Sequence, residues 1–91
     1  MQVDYTELTQ AQRREVRLQY VALQKGKCFY CTKPLDGRPS NEVLTMRISL
    51  ELFPTGFFKH PVHLHHDHVT GLTIGAVHAL CNAVLWQYHG E

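Results

Sequence analysis

Two pairs of metal-donor side chains share one spacing near opposite ends of a short chain: Cys28-Phe29-Tyr30-Cys31 and His78-Ala79-Leu80-Cys81. A C-x-x-C pair alone has three readings: half of a zinc site, a redox dithiol, or coincidence. The redox reading wants a thioredoxin-like βαβ context, which the sequence lacks. The zinc reading needs a second pair of donors, and His78-x-x-Cys81 supplies it. The i,i+3 spacing sets both side chains on one side of a helix's first turn. Together the four would make a tetrahedral Cys₃His site. The competing reading makes Cys81 a plain buried cysteine and His78 a helix-start residue. Chain length weighs in favour of the metal. Ninety-one residues bury only about 60–65% of their unfolded surface, so a staple is expected. Three cysteines are an odd number and argue against a closed disulfide framework.

The remaining composition mainly excludes. Hydrophobic residues at 44% and charged residues at 19% rule out a disordered chain. No apolar run approaches the roughly 18 residues a membrane span needs. No basic-then-apolar leader opens the sequence, so the expectation is a cytoplasmic single domain over 1–91. Net charge is only +1, but residues 1–33 hold six Lys/Arg against three Asp/Glu.

Thr9-x-x-Gln12 has the form of a capping box, which predicts a helix from about 9 to 25. Val16, Tyr20 and Leu23 mark its apolar side, and Gly26 its stop. Arg13, Arg14 and Arg17 on this helix form either a solvated face or a phosphate-facing one. Residues 43–52 alternate strictly, with Leu44, Met46, Ile48, Leu50 and Leu52 on one face. That pattern predicts a half-buried strand. Pro54-Thr55-Gly56 is a turn signal, and a second extended run covers 57–66. Gly71 marks another turn, 72–76 a short strand, and 78–88 a helix ended by Gly90. Trp86 and Tyr88 on that helix are read as core rather than as base-stacking platforms.

The densest chemistry is His63-Leu64-His65-His66-Asp67-His68, from a chain with seven histidines. Read as H-x-H-x-D-H, it matches the two-zinc motif of the metallo-β-lactamase fold. That fold needs a sandwich about twice this long with further ligands downstream, so the match is a decoy.

The order C-x-x-C, then H-L-x-H-D-H, a glycine turn, and x-x-C-Asn resembles the HNH endonucleases, and most closely their recombination endonuclease VII-like branch. The resemblance spans roughly 20–90, with an insertion near 32–62. It implies an α+β fold: a small ββα-metal (His-Me finger) domain at about 60–90, an N-terminal helix, an inserted β-hairpin and a structural zinc. It implies a metal-dependent DNA endonuclease, cutting or nicking, that leaves 5′-phosphate and 3′-hydroxyl ends. His66 falls on the family's general base, and His68 near the scissile phosphate. His65 and Asn82 fall on the ligands of a catalytic divalent ion, Mg²⁺ or Mn²⁺, with Co²⁺ or Ni²⁺ admitted by the imidazole. Asp67 is an orienter, an extra ligand or a turn residue. Three positions depart from the pattern: His78 replaces a zinc cysteine, Ile74 an arginine, and the middle asparagine has no counterpart. The expected partner is DNA, with no membrane and no small-molecule organic cofactor. Arg13, Arg14 and Arg17 are the candidate phosphate contacts. The alternative is a catalytically inactive zinc-bound nucleic-acid-binding or interaction module.

Overall fold

The computed structural model describes residues 1–90. The Thr9 hydroxyl accepts from Gln12 N at 3.2 Å, and Gln12 Oε1 accepts from Thr9 N at 2.8 Å. This reciprocal cap satisfies two N–H groups that a helix start otherwise leaves open. Helix α1 then runs Gln10–Leu23. It stops where Lys25 (φ 55) and Gly26 (φ 74) turn left-handed, and Gly26 N closes back on Val21 O at 2.8 Å. Of the expected apolar side, Tyr20 is buried and Val16 packs beside it. Leu23 is 65% exposed, because Gln24, not Leu23, turns toward the rest of the molecule.

The chain next folds into a tight knuckle. Thr32 N donates to Cys28 O and Cys28 N to Lys33 O, with Thr32 itself left-handed at φ 69. Leu35 inserts into the core.

No strand forms over 43–52, so the expected inserted β-hairpin is absent from the described residues. The segment instead holds a single helical turn, α2 (Asn41–Leu44), and a 3₁₀ turn at Leu50–Leu52. The Ser40 hydroxyl accepts from Val43 N at 3.3 Å, a local cap that competes with extended backbone. The groups a neighbouring strand would pair with are taken by side chains from the C-terminal helix. Gln87 accepts from Ser49 N, and Gln87 and Tyr88 both donate to Arg47 O.

The two strands that do form are β1 (Val62–His66) and β2 (Thr73–His78), an antiparallel pair. Leu64 stands opposite Ala76 and His65 opposite Gly75, but His66 faces Thr73. The register slips there, leaving Ile74 as the extra residue of a bulge. Helix α3 (Ala79–His89) follows β2 directly, and left-handed Gly90 (φ 70) caps its end. Ala76, Val77, Cys81, Ala83 and Val84 are fully buried between the hairpin and its helices. The result is a small α+β unit: a helix, a two-stranded antiparallel hairpin and a C-terminal helix. No described helix is long and apolar enough to cross a membrane.

Candidate functional site

Cys28, Cys31, His78 and Cys81 converge where the knuckle meets the start of α3, with their donor atoms all within 4.8 Å of one another. Three cysteine sulfurs and one imidazole nitrogen suit zinc in number and softness, and the four residues are positioned like a zinc site. The imidazole is oriented for that role. His78 Nε2 lies 2.8 Å from Pro34 O, so its N–H donates to that carbonyl. Nδ1, bare, then faces Cys31 Sγ at 3.4 Å and Cys81 Sγ at 3.5 Å. Such an outer hydrogen bond fixes the tautomer of a ligating histidine. The same engagement explains why His78, at the N-cap of α3, makes no side-chain cap. The thiols divide their charge unequally. Hydrogen bonding with the Cys81 thiol brings Cys28 down to about 4, against the effect of burial. The same hydrogen bond, followed by burial, pushes the Cys81 thiol up.

On another side of the hairpin lies a cavity of about 490 Å³, whose walls include Arg13, Arg17, His63, His66, His68 and Asn82. Regular alternation would send His63 and His66 to opposite faces of β1. Yet Val62, His63, Leu64 and His66 all line the cavity, which takes in the edge of β1 rather than one of its faces. Asn82 lies with its side-chain nitrogen 3.2 Å from His63 Nδ1. His63 is held below the usual histidine range, above all by burial.

His66 is also held low, first by burial and then by its neighbour His68, whose ring stands edge-on at 4.9 Å. Tyr5 covers it: the two rings are parallel within 6° and 3.8 Å apart. The Arg13 guanidinium lies 3.8 Å from the Tyr5 ring centre, and Arg13 Nε donates to Tyr5 O at 3.2 Å. The N-terminal segment is pinned there by Tyr5 N to Gly71 O and Thr73 N to Val3 O, both 2.8 Å. A neutral imidazole in a fixed stack is a ready proton acceptor.

The other expected site residues are distributed as follows. His65 is 2% exposed, in the interior, and is not part of the cavity wall. Asp67 organises the hairpin turn: its Oδ1 accepts from Val69 N at 2.7 Å and Thr70 N at 2.8 Å. Those two N–H groups hold its carboxyl below the usual range. Arg13 and Arg17, one helical turn apart, both border the cavity, whereas Arg14 is exposed and does not. Trp86 and Tyr88 are not core: they are 42% and 47% exposed. Trp86 lines the cavity, and Tyr88 anchors the 45–49 segment through Arg47 O. Sequence reasoning missed His63, Tyr5 and Phe57 as cavity residues. Only His63 carried a signal, as the first histidine of its cluster. Comparison of the chain with protein-family models, curated proteins and solved structures finds no match.

Proposed function

We propose that the chain is an HNH-type, metal-dependent DNA endonuclease, with β1, β2 and α3 as its ββα-metal unit and Cys28, Cys31, His78 and Cys81 holding a structural zinc. The observation that carries this reading is the cavity itself. It gathers a half-buried, neutral-leaning His66, the His63–Asn82 pair and two arginines, with no carboxylate among its lining residues. That set suits an anionic substrate attacked by water.

In this reading Arg13 and Arg17 hold the phosphate, and phosphate contacts position a strand without reading its sequence. His66 accepts the proton of the attacking water at a ring nitrogen, and the Tyr5 stack limits its rotation. His68 stands next to His66 and donates to the phosphate or the departing oxygen. Asn82 would be one ligand of the catalytic Mg²⁺ or Mn²⁺. His65 is the second ligand by resemblance, and its burial argues against that role. His63, 3.2 Å from Asn82, is the better candidate, and neutral nitrogen and oxygen donors fit such an ion. The bound ion would supply charge neutralisation at the phosphate.

The test is incubation of supercoiled plasmid with the zinc-loaded protein across a panel of divalent metals. Cleavage is expected with at least one metal. His66→Ala should slow it by about 10²–10⁴-fold while zinc content stays unchanged. Equal rates in the variant would remove His66 from the chemistry. The burial of His65 also supports a second reading, an inactive zinc-bound nucleic-acid-binding module. That reading is recognised by DNA binding without cleavage under every metal.

A further inference from the structure

One wall of the cavity is aromatic. The Phe53 ring centre lies 4.8 Å from that of Phe57 and 5.6 Å, edge-on, from Trp86. Phe57 stands edge-on to His63 at 4.7 Å, which joins this wall to the polar end of the cavity. Trp86 remains 42% exposed, although an indole is among the largest apolar surfaces a protein can bury. Leu52 at its margin is 46% exposed. A small domain leaves such a surface open mainly where it binds something. The same cavity is also lined by Arg13 and Arg17 from α1, and the lining contains no Asp or Glu. A ligand that satisfies both kinds of lining needs a flat apolar ring and an anion in one small molecule or residue.

We infer that the cavity seats one unpaired nucleotide of single-stranded DNA, its base stacked on the Phe53–Phe57–Trp86 wall and its phosphate held by Arg13 and Arg17. The volume of about 490 Å³ suits one small ligand and is far too small for a duplex. In duplex DNA the base faces are covered by neighbouring pairs, so only an unpaired or extruded base can present its face. Aromatic platforms beside a positive groove are how single strands are bound without sequence preference. This inference deepens the nuclease reading and takes DNA as the polymer from it. It names an unpaired strand, such as a gap, flap or branch, as the part of the substrate that is gripped.

Trp86 is the sole tryptophan, so its fluorescence reports on this wall alone. The experiment titrates the zinc-loaded protein, with no other divalent ion added, using three probes: oligo(dT), a hairpin duplex of equal length, and thymidine monophosphate. Oligo(dT) should quench the tryptophan saturably and bind at least about tenfold more tightly than either other probe. By anisotropy of labelled DNA, Trp86→Leu should weaken oligo(dT) binding on the order of tenfold and leave duplex binding unchanged. Phe57→Leu should act in the same direction, which guards against a folding defect peculiar to one variant. Unquenched binding, equal affinity for strand and hairpin, or equal affinity for the free monophosphate would each overturn the inference. Oligo(dT) binding with quenching, but without plasmid cleavage under any metal, would sink the nuclease reading and leave this site standing.

Discussion

Gln24 offers a sharp test of how the two halves of the fold are joined. Its Oε1 accepts from Ala76 N at 2.8 Å, and its Nε2 donates to Ala76 O at 2.9 Å and Lys27 O at 2.7 Å. Ala76 is fully buried in β2, and the Gln24 carboxamide occupies the place a third strand would take. Gln24→Ala therefore deprives a buried N–H of its acceptor, which costs about 1–3 kcal/mol. Ala76 O keeps Phe29 N as a donor at 3.0 Å, so the lost donations add less, about 0.5–1 kcal/mol. The total, about 1.5–4 kcal/mol, is a large part of the 5–15 or so a domain possesses. At roughly 4–8 °C per kcal/mol in a chain this small, Tm should fall on the order of 10–20 °C.

Thermal and urea melts at one fixed free-zinc concentration measure this, because zinc bound to the folded state shifts apparent stability. Gly75 supplies an internal check. A Cβ there would lie 2.9 Å from Gln24 Oε1 and 3.0 Å from Phe29 Cβ and Cγ. Gly75→Ala should thus break the same clamp from the other side. With Gln24 already truncated, part of that clash disappears, so the double variant should lose less than the sum of the two. A Gln24→Ala protein within about 0.5 kcal/mol of the parent, or a strictly additive pair, would refute the clamp.

Removal of zinc with a strong chelator, or Cys81→Ser, should abolish the cooperative melt, since binding and folding are coupled in small metal domains; a native-like melt without metal would rule out the staple. His63 and His66 are both held below the ordinary histidine range by burial. The unfolded chain takes up their protons near about pH 6.5, so their stabilisation is complete above that pH and is lost as pH falls through the lower folded values. Tm should therefore drop from pH 7 toward pH 5, and His63→Gln should flatten part of that drop; parallel profiles for parent and variant would contradict it. Replacing Arg13 and Arg17 with Gln should weaken binding to unrelated single-stranded DNA sequences alike and reduce the salt slope by roughly 0.7 log unit per lost single-strand contact. Arg14→Gln should do neither, and equal effects from all three would remove the distinction the helix faces imply.

Features settled by near neighbours in the chain were legible. Thr9 and Gln12 announce α1, and the paired x-x spacings announce the metal cluster, because each signal lies within one turn. The alternation over 43–52 was misleading for a physical reason. Period two sorts side chains onto two faces, but a strand also needs a partner for its backbone. Here Gln87 and Tyr88, some forty residues away, supply those hydrogen bonds as side chains. Trp86 went wrong through a one-way rule: cores are apolar, but apolar residues are not all core. His63 was passed over because the family pattern places the ligand at His65, and nothing in the local sequence marks His65 as interior and His63 as the one that reaches the cavity.

The two sites are mechanically one, and α3 is the reason. Cys81 and Asn82 are adjacent, so their side chains leave the helix about 100° apart. Cys81 turns to the metal cluster and Asn82 to His63 in the cavity. His78 ends β2 and also begins α3, so no linker separates the strand from the helix. A metal holding His78 and Cys81 in one tetrahedron would fix the rotation of the first turn of α3 about its axis. That rotation decides whether Asn82 reaches His63. A turn of the helix by about 20° moves a side-chain tip several ångströms from the axis by about 2 Å, which breaks a 3.2 Å contact. A metal held by this cluster would therefore act on the cavity without touching it, through the angle at which one helix leaves one strand.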